Sequence, residues 1–245
     1  MRVVVTGATG QTGRRVVERL LQQGHLVRAL VRNADSARKV LGDSAALELF
    51  HGDVRERSTL TALGRDASVA VLATGTRSYF GANGGAAVDA LGTRNLVDAL
   101  NADGVKRVVQ VSAFGLDRKS PWLQLFSLGL NRYFHWKALA ESAVRESGLE
   151  YAILRPVELR NRPARGLPHF NQSAPLSLLR TMSRDMLADV IAGCVQFGAG
   201  RRTTFELCEA PTTGRVDAPT PSLSDRFTAL REDGAREFPT RTPLL

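Results

Sequence analysis

The sequence predicts an α/β protein built on a doubly wound parallel sheet with helices on both faces. Two observations predict it: short apolar, β-branched runs alternate with longer segments of helical period, and a glycine-spaced loop joins the first run to the first helical segment. Strands alternating with helices imply a mostly parallel sheet, covered on both faces and connected by right-handed crossovers.

Taken in order, RVVV at 2–5 reads as a strand, 11–23 as an amphipathic helix and 26–31 as a second strand, which together make a βαβ unit. Apolar runs recur at 47–50, 69–73, 107–111 and 151–154, separated by helical patterns such as 88–102 and 131–147. A later helix is predicted at 185–197 and a short strand at 203–208. From 211 to 245, prolines at 211, 219, 221, 239 and 243 among many Thr and Arg predict a loosely ordered tail with one helix near 222–231. One domain over 1–210 is therefore expected, with 157–184 as a substrate-side segment and 211–245 as the tail.

The 245 residues are 43% hydrophobic and 23% charged, which excludes a disordered chain and allows a sizeable core. No run approaches the roughly 18 apolar residues of a membrane span, and MRVVVTG lacks the layout of a leader peptide, so a cytoplasmic location without membrane contact is expected. Cys194 and Cys208 are too few for a disulfide framework and have no clustered partners for a metal; both read as structural thiols.

The net charge is +9 and the isoelectric point about 10.5, yet the arginines are spread along the chain with no basic arm and no nucleic-acid motif. The local exception is 155–184, where Arg155, Arg160, Arg162, Arg165, Arg180 and Arg184 face one acid, Glu158. It reads as a solvated basic loop or as a site for a small anionic molecule, ahead of nucleic acid.

TGATGQTGRRVV places Gly7, Gly10 and Gly13 between the first strand and the first helix. There the glycines permit a tight turn and close backbone approach, while the helix N-terminus offers free N–H groups to a pyrophosphate. This context, rather than the triplet alone, marks a Rossmann-type dinucleotide site. Where the second strand ends, a NAD-selective site typically carries an acid for the ribose 2′-hydroxyl; here Arg32 follows Val31. A guanidinium suits a 2′-phosphate, with Arg38 or Lys39 further along the next helix to assist, so NADP(H) is predicted over NAD(H).

These residues resemble the atypical short-chain dehydrogenase/reductases of the NAD(P)-binding, NmrA-like kind. The likeness runs through 7–33, HGDVRERSTL at 51–60, VKRVVQVSAFG at 105–115, WKALAESAVRESGLEYAILRP at 136–156 and MSRDMLADVI at 182–191. GATGQTG, the GTR at 75–77 and the SAF at 112–114 are similar to the flavin reductase (biliverdin-IXβ reductase) branch. The resemblance implies pyrophosphate contacts from Gly7, Thr9, Gly10, Gln11, Thr12 and Gly13, and 2′-phosphate contacts from Arg32 and Arg38. It puts Asp53 and Val54 beside the adenine, Gly75, Thr76 and Arg77 beside the nicotinamide ribose, and Arg155, Pro156 and Val157 over the nicotinamide. Ser112 would sit near the hydride-transfer face.

Reductases and epimerases of the family commonly pair a Tyr and a Lys four residues apart on a helix with an upstream Ser. Residues i and i+4 share a helix face, so the ammonium can acidify the phenol while the hydroxyl orients a carbonyl. Ser112, Tyr133 and Lys137 match this pattern, with Lys137 also a cofactor contact. Packing or solvent exposure of Tyr133 is the competing reading. Five of the fifteen aromatics, Trp122, Phe126, Tyr133, Phe134 and Trp136, lie within fifteen residues, as helix packing, an oligomer contact or a wall against a flat ligand. His135 reads as a partly exposed helix residue and His169 as a candidate substrate contact.

The leading expectation is an NADPH-dependent oxidoreductase transferring hydride to a small aromatic, quinonoid, flavin or carbonyl substrate, flat and either neutral or anionic, in a monomer or homodimer. An NADP(H)-binding redox sensor or scaffold without catalysis is the alternative. A nucleotide-sugar epimerase fits the length less well, because only about fifty residues separate Pro156 from the tail.

Overall fold

The computed structural model describes residues 1–76, 81–116, 132–172, 180–198, 202–210 and 222–234. Six parallel strands, β1 (Arg2–Thr6), β2 (Leu26–Val31), β3 (Leu47–His51), β4 (Ala67–Leu72), β5 (Arg107–Val111) and β6 (Glu150–Pro156), stand in the order 3-2-1-4-5-6. Further on, β10 (Arg202–Ala210) extends the sheet in parallel beside β6, and β8 (Leu167–Asn171) closes that edge antiparallel to β10. The chain adds strands on one side of β1, then returns to add β4 on the other. This reversal opens a crevice above the carboxyl ends of β1 and β4.

Alternation along β1 divides the core. Val3 and Val5 face one layer, where α1 (Gly13–Gln22) supplies Val16, Val17 and Leu20, and α5 (Arg184–Gly193) supplies Leu187, Val190 and Ile191. Val4 faces the other, where α3 (Gly92–Ala102) brings Leu96, Val97 and Leu100, and α4 (Tyr133–Glu146) brings Ala143 and Val144. Each fully buried Leu or Ile contributes about 1.5–3 kcal/mol of burial free energy, so both faces hold the sheet. On the solvent side of the α1–α5 contact, Arg15 pairs with Asp185 and Arg19 with Asp189, both at 2.7 Å. Between β2 and β3, α2 (Ala34–Leu41) is capped by Asn33, whose side chain accepts the Ser36 N–H at 2.8 Å. Among the described residues no helix is long and apolar enough to cross a membrane.

The predicted 88–102 helix begins as a π-helix, Ala86–Leu91, and continues as α3; the 185–197 helix likewise ends in a π-turn, Cys194–Gly198. Within 157–184, short strands β7 (Glu158–Arg160) and β9 (Thr181–Ser183) pair in a separate two-stranded sheet. Three-residue strands leave no period to detect.

The helix expected near 222–231 is present within the described part of the tail, 222–234. Ser222 and Asp225 form a reciprocal capping box at the start of α6 (Leu223–Thr228), whose Phe227 enters the core. Leu223 and Phe227 crowd Gly193, where any Cβ would meet them. Asp233 then accepts hydrogen bonds from Tyr151 Oη (3.0 Å), Thr204 N (2.9 Å) and Thr204 Oγ1 (2.6 Å).

Candidate cofactor site

The loop after β1 is shaped by its glycines. Gly7 has φ +66°, and a Cβ there would lie 2.5 Å from the Ala73 carbonyl oxygen; a Cβ on Gly13 would strike the Gly7 carbonyl. Gly10 N–H donates to Gly7 O at 2.9 Å, closing the turn. Thr12, at the N-cap of α1, makes no side-chain cap, and the first turn carries no acid. A helix start without its own anionic cap fits a bound phosphate. Thr9 and Gln11 are exposed on this loop. Gln11 Oε1 accepts from Asn161 Nδ2 at 3.2 Å, and Asn161 Oδ1 accepts from Arg184 at 3.1 Å. Thus the segment after β7 leans on the phosphate loop, a partner the sequence reading missed.

Arg32 is exposed at the carboxyl end of β2, beside the turn where Gly52 N–H donates to Val31 O. Asp53 follows β3, its carboxylate gripped by Arg55 through Nε (3.0 Å) and Nη2 (2.6 Å). The Arg55 hydrogen bond holds the Asp53 carboxyl below its usual range against burial, with Arg32 adding a smaller effect. Val54 is buried beneath Gly92, and its carbonyl accepts from Asn95 at 2.9 Å. Arg38 does not join Arg32. Because α2 runs back along the sheet, the Arg38 guanidinium lies toward Asp35 (3.6 Å) and Asp43 (3.9 Å), in a depression with Leu47 at the amino end of β3. The Arg38 side chain stays largely exposed there; Arg55, past the end of the neighbouring strand β3, was not foreseen.

Beyond β4, Gly75 and Thr76 reach a buried pair. Lys137 Nζ lies 2.7 Å from Asp89 Oδ1, with 9% and 2% of the two side chains exposed. Asp89 Oδ2 accepts the Thr76 N–H at 3.3 Å, and Gly75 lies against the ammonium. Burial alone would lower the Lys137 pKa, but Tyr133 and Asp89 outweigh it and hold the ammonium above its ordinary value. Tyr133 and Lys137 share a helix face as expected, with Nζ 5.9 Å from the ring centroid. The ionic partner of Lys137, however, is Asp89. Arg77 lies outside the described residues.

Ser112 stands just past β5, its N–H bound to Leu154 O at 2.7 Å. Its buried Oγ faces Glu141 without a well-formed hydrogen bond. Glu141 is itself buried and takes both Nε (2.9 Å) and Nη2 (2.7 Å) of Arg155, with Arg145 on Oε2 at 2.9 Å. Burial raises the Glu141 pKa, yet Arg155 and Arg145, with the Ser112 hydroxyl, bring it below the usual carboxylate range. Arg155 is enclosed with Glu141, as a buried guanidinium requires a paired acid. Pro156 O accepts from Phe114 N–H and Val157 N–H donates to Leu207 O, which ties the end of β6 to its neighbours.

Trp136 packs against Gly85, where a Cβ would lie 2.5 Å from its ring, so this aromatic serves packing. Trp122 and Phe126 lie outside the described residues. The ring of His135 stacks edge-on against Trp136. His169, on β8, is held below its usual pKa by burial and by Arg180 and Arg226. The local basic excess is offset by acids distant in sequence: Arg155 by Glu141, and Arg162 by Glu209 at 2.9 Å, besides Arg160 by Glu158 at 2.8 Å. Burial pushes both cysteine thiols up, in keeping with structural roles. Among the described residues no group of His, Cys, Asp and Glu could hold a metal.

The glycine cradle and the uncapped α1 fit a dinucleotide across the crevice. The chain matches the sequence family described as NAD(P)H-binding over residues 7–197. An uncharacterised chloroplastic protein of Arabidopsis thaliana is 34% identical over 241 residues, covering 94% of this chain and 82% of its own. A Bacillus subtilis protein named as the uncharacterised sugar epimerase YhfK is 29% identical over 217 residues, covering 86% and 96%. Among solved structures, ChuY, an anaerobillin reductase from Escherichia coli O157:H7, aligns with a TM-score of 0.71 at 25% identity, covering 91% of this chain and 100% of that one.

Proposed function

The chain belongs to the NAD(P)H-binding family, and from that premise we propose that it is an NADPH-dependent reductase of a small, flat aromatic, quinonoid, flavin or carbonyl acceptor. The observation that carries this reading is the pair of polar groups beyond β4 and β5: the Lys137 ammonium held by Asp89, and the buried Ser112 hydroxyl beside Glu141. Both stand on the far side of the switch point from Arg32, where the reactive half of a dinucleotide belongs. The naming of ChuY as a reductase supports the same chemistry.

Bound NADPH supplies the hydride, and the protein supplies position and charge stabilisation. Gly7 to Gly13 and the start of α1 hold the pyrophosphate; Arg32 meets the 2′-phosphate and favours NADPH over NADH. Ser112 donates to negative charge developing on the acceptor, a preorganised effect worth about 2.7–4 kcal/mol per donor in comparable sites. Tyr133 supplies the proton for a carbonyl acceptor, whereas a flavin or quinone can take its proton from solvent. The pairing of Arg155, Arg160 and Arg162 with acids reduces the local basic excess that would favour an anionic substrate.

Ser112→Ala and Tyr133→Phe test these roles against one accepted substrate. Ser112→Ala is expected to lower kcat by about 100-fold while NADPH affinity holds. Tyr133→Phe is expected to slow carbonyl reduction and spare flavin reduction. Unchanged kcat in Ser112→Ala for every acceptor would remove the assignment. NADPH binding without turnover of any acceptor would favour the redox-sensor reading.

A further inference from the structure

Asp89 touches no strand end and belongs to no glycine motif. It sits in the π-helix Ala86–Leu91, with a side chain only 2% exposed, and both of its oxygens are engaged. Oδ1 holds the Lys137 ammonium on α4 at 2.7 Å; Oδ2 holds the Thr76 N–H beyond β4 at 3.3 Å. One carboxylate thus ties a helix to the loop that borders the crevice. Single π-turns within helices recur at functional sites, where they re-aim a side chain.

The sheet order says which part of a dinucleotide this tie would serve. The pyrophosphate belongs at the glycine loop after β1, and the adenosine side at the ends of β2 and β3, beside Arg32 and Asp53. The remaining half must cross the switch point to β4 and β5, where Thr76, Lys137 and Ser112 stand. Asp89 Oδ1, 2.7 Å from the ammonium, holds its charge in place beside the crevice. We infer that Asp89 is a positioning residue for the nicotinamide half of the cofactor, acting through Lys137 and the Thr76 backbone. This rests on the cofactor-binding part of the proposed function and is independent of turnover.

The test compares two ligands by calorimetry on the full chain: NADPH, and 2′,5′-ADP, which lacks the nicotinamide mononucleotide half. Asp89→Asn is expected to weaken NADPH by about tenfold, the scale of one charged hydrogen bond, and to leave 2′,5′-ADP within about twofold. Asp89→Glu, which keeps the charge, is expected to recover part of the loss. Should Asp89→Asn fail to fold, Asp89→Glu alone, which keeps the charge but displaces it by one methylene, is expected to show a smaller loss with the same selectivity for NADPH over 2′,5′-ADP. Equal loss for both ligands would mean a merely structural role, and no loss for either would mean none; each overturns the inference. Absence of acceptor reduction would count against the reductase reading alone, because both ligands are read by binding.

Discussion

Arg155 and Glu141 form a two-point ion pair enclosed between β6 and α4, Nε to Oε1 at 2.9 Å and Nη2 to Oε2 at 2.7 Å. It lies directly behind Ser112, and Arg145 continues it toward Thr204 and Asp233. Arg155→Met leaves Glu141 buried with one cation fewer, a change that typically costs about 3–5 kcal/mol. A fall in Tm on the order of 10 °C is expected for a chain of this size.

That pair also sets a pH dependence. The folded-state pKa of Glu141 is depressed, so its stabilisation is fully present above the unfolded value near about 4.3 and is lost as pH falls through the folded value. Urea unfolding between pH 7 and pH 3 is expected to show the Arg155→Met penalty shrinking on acidification, as Glu141 becomes neutral in the variant. A penalty that grows toward acid pH would contradict the assignment.

The proposed function assigns cofactor choice to Arg32. Arg32→Ala is expected to weaken NADPH by about 10- to 100-fold and NADH by less than about twofold. Arg38→Ala is expected to change neither, since its guanidinium faces Asp35 and Asp43. Fluorescence titration with both nucleotides distinguishes the two.

Gly7→Ala combines a positive φ with a clash against the Ala73 backbone. Loss of cofactor binding is expected, with about 1–3 kcal/mol of destabilisation. Gly24 also has a positive φ (+77°) but nothing within 4 Å of a Cβ, so Gly24→Ala is the control that keeps binding.

What the sequence made legible was local. Strand runs, the glycine spacing and the Tyr133–Lys137 helix face follow from short-range period and turn chemistry, and the sheet bears them out. Partner choice across long separations was not legible. Asp89 reads as one polar residue in a helical pattern until folding brings it to Lys137, 48 positions away. Arg155 looks like a surface cation until Glu141 is placed beside it, and Arg38 looks near Arg32 until α2 carries it toward the other end of the sheet. Asp233, downstream of a proline-rich stretch, gives no local sign of its three hydrogen bonds.

Those bonds make the segment around Asp233 part of the fold. Asp233→Ala is expected to cost about 1–3 kcal/mol, because Thr204 N–H and the Tyr151 hydroxyl lose a charged acceptor. Thermal unfolding of this variant beside the wild type checks it; an unchanged Tm would mean the segment does not dock in solution.

NADPH oxidation by the wild-type protein, followed with FMN, FAD, a quinone and an aromatic ketone alongside NADPH binding in the same sample, tests the reductase assignment most directly. Binding accompanied by acceptor-dependent oxidation is the predicted result. Tight binding with no oxidation in the presence of any acceptor would contradict it.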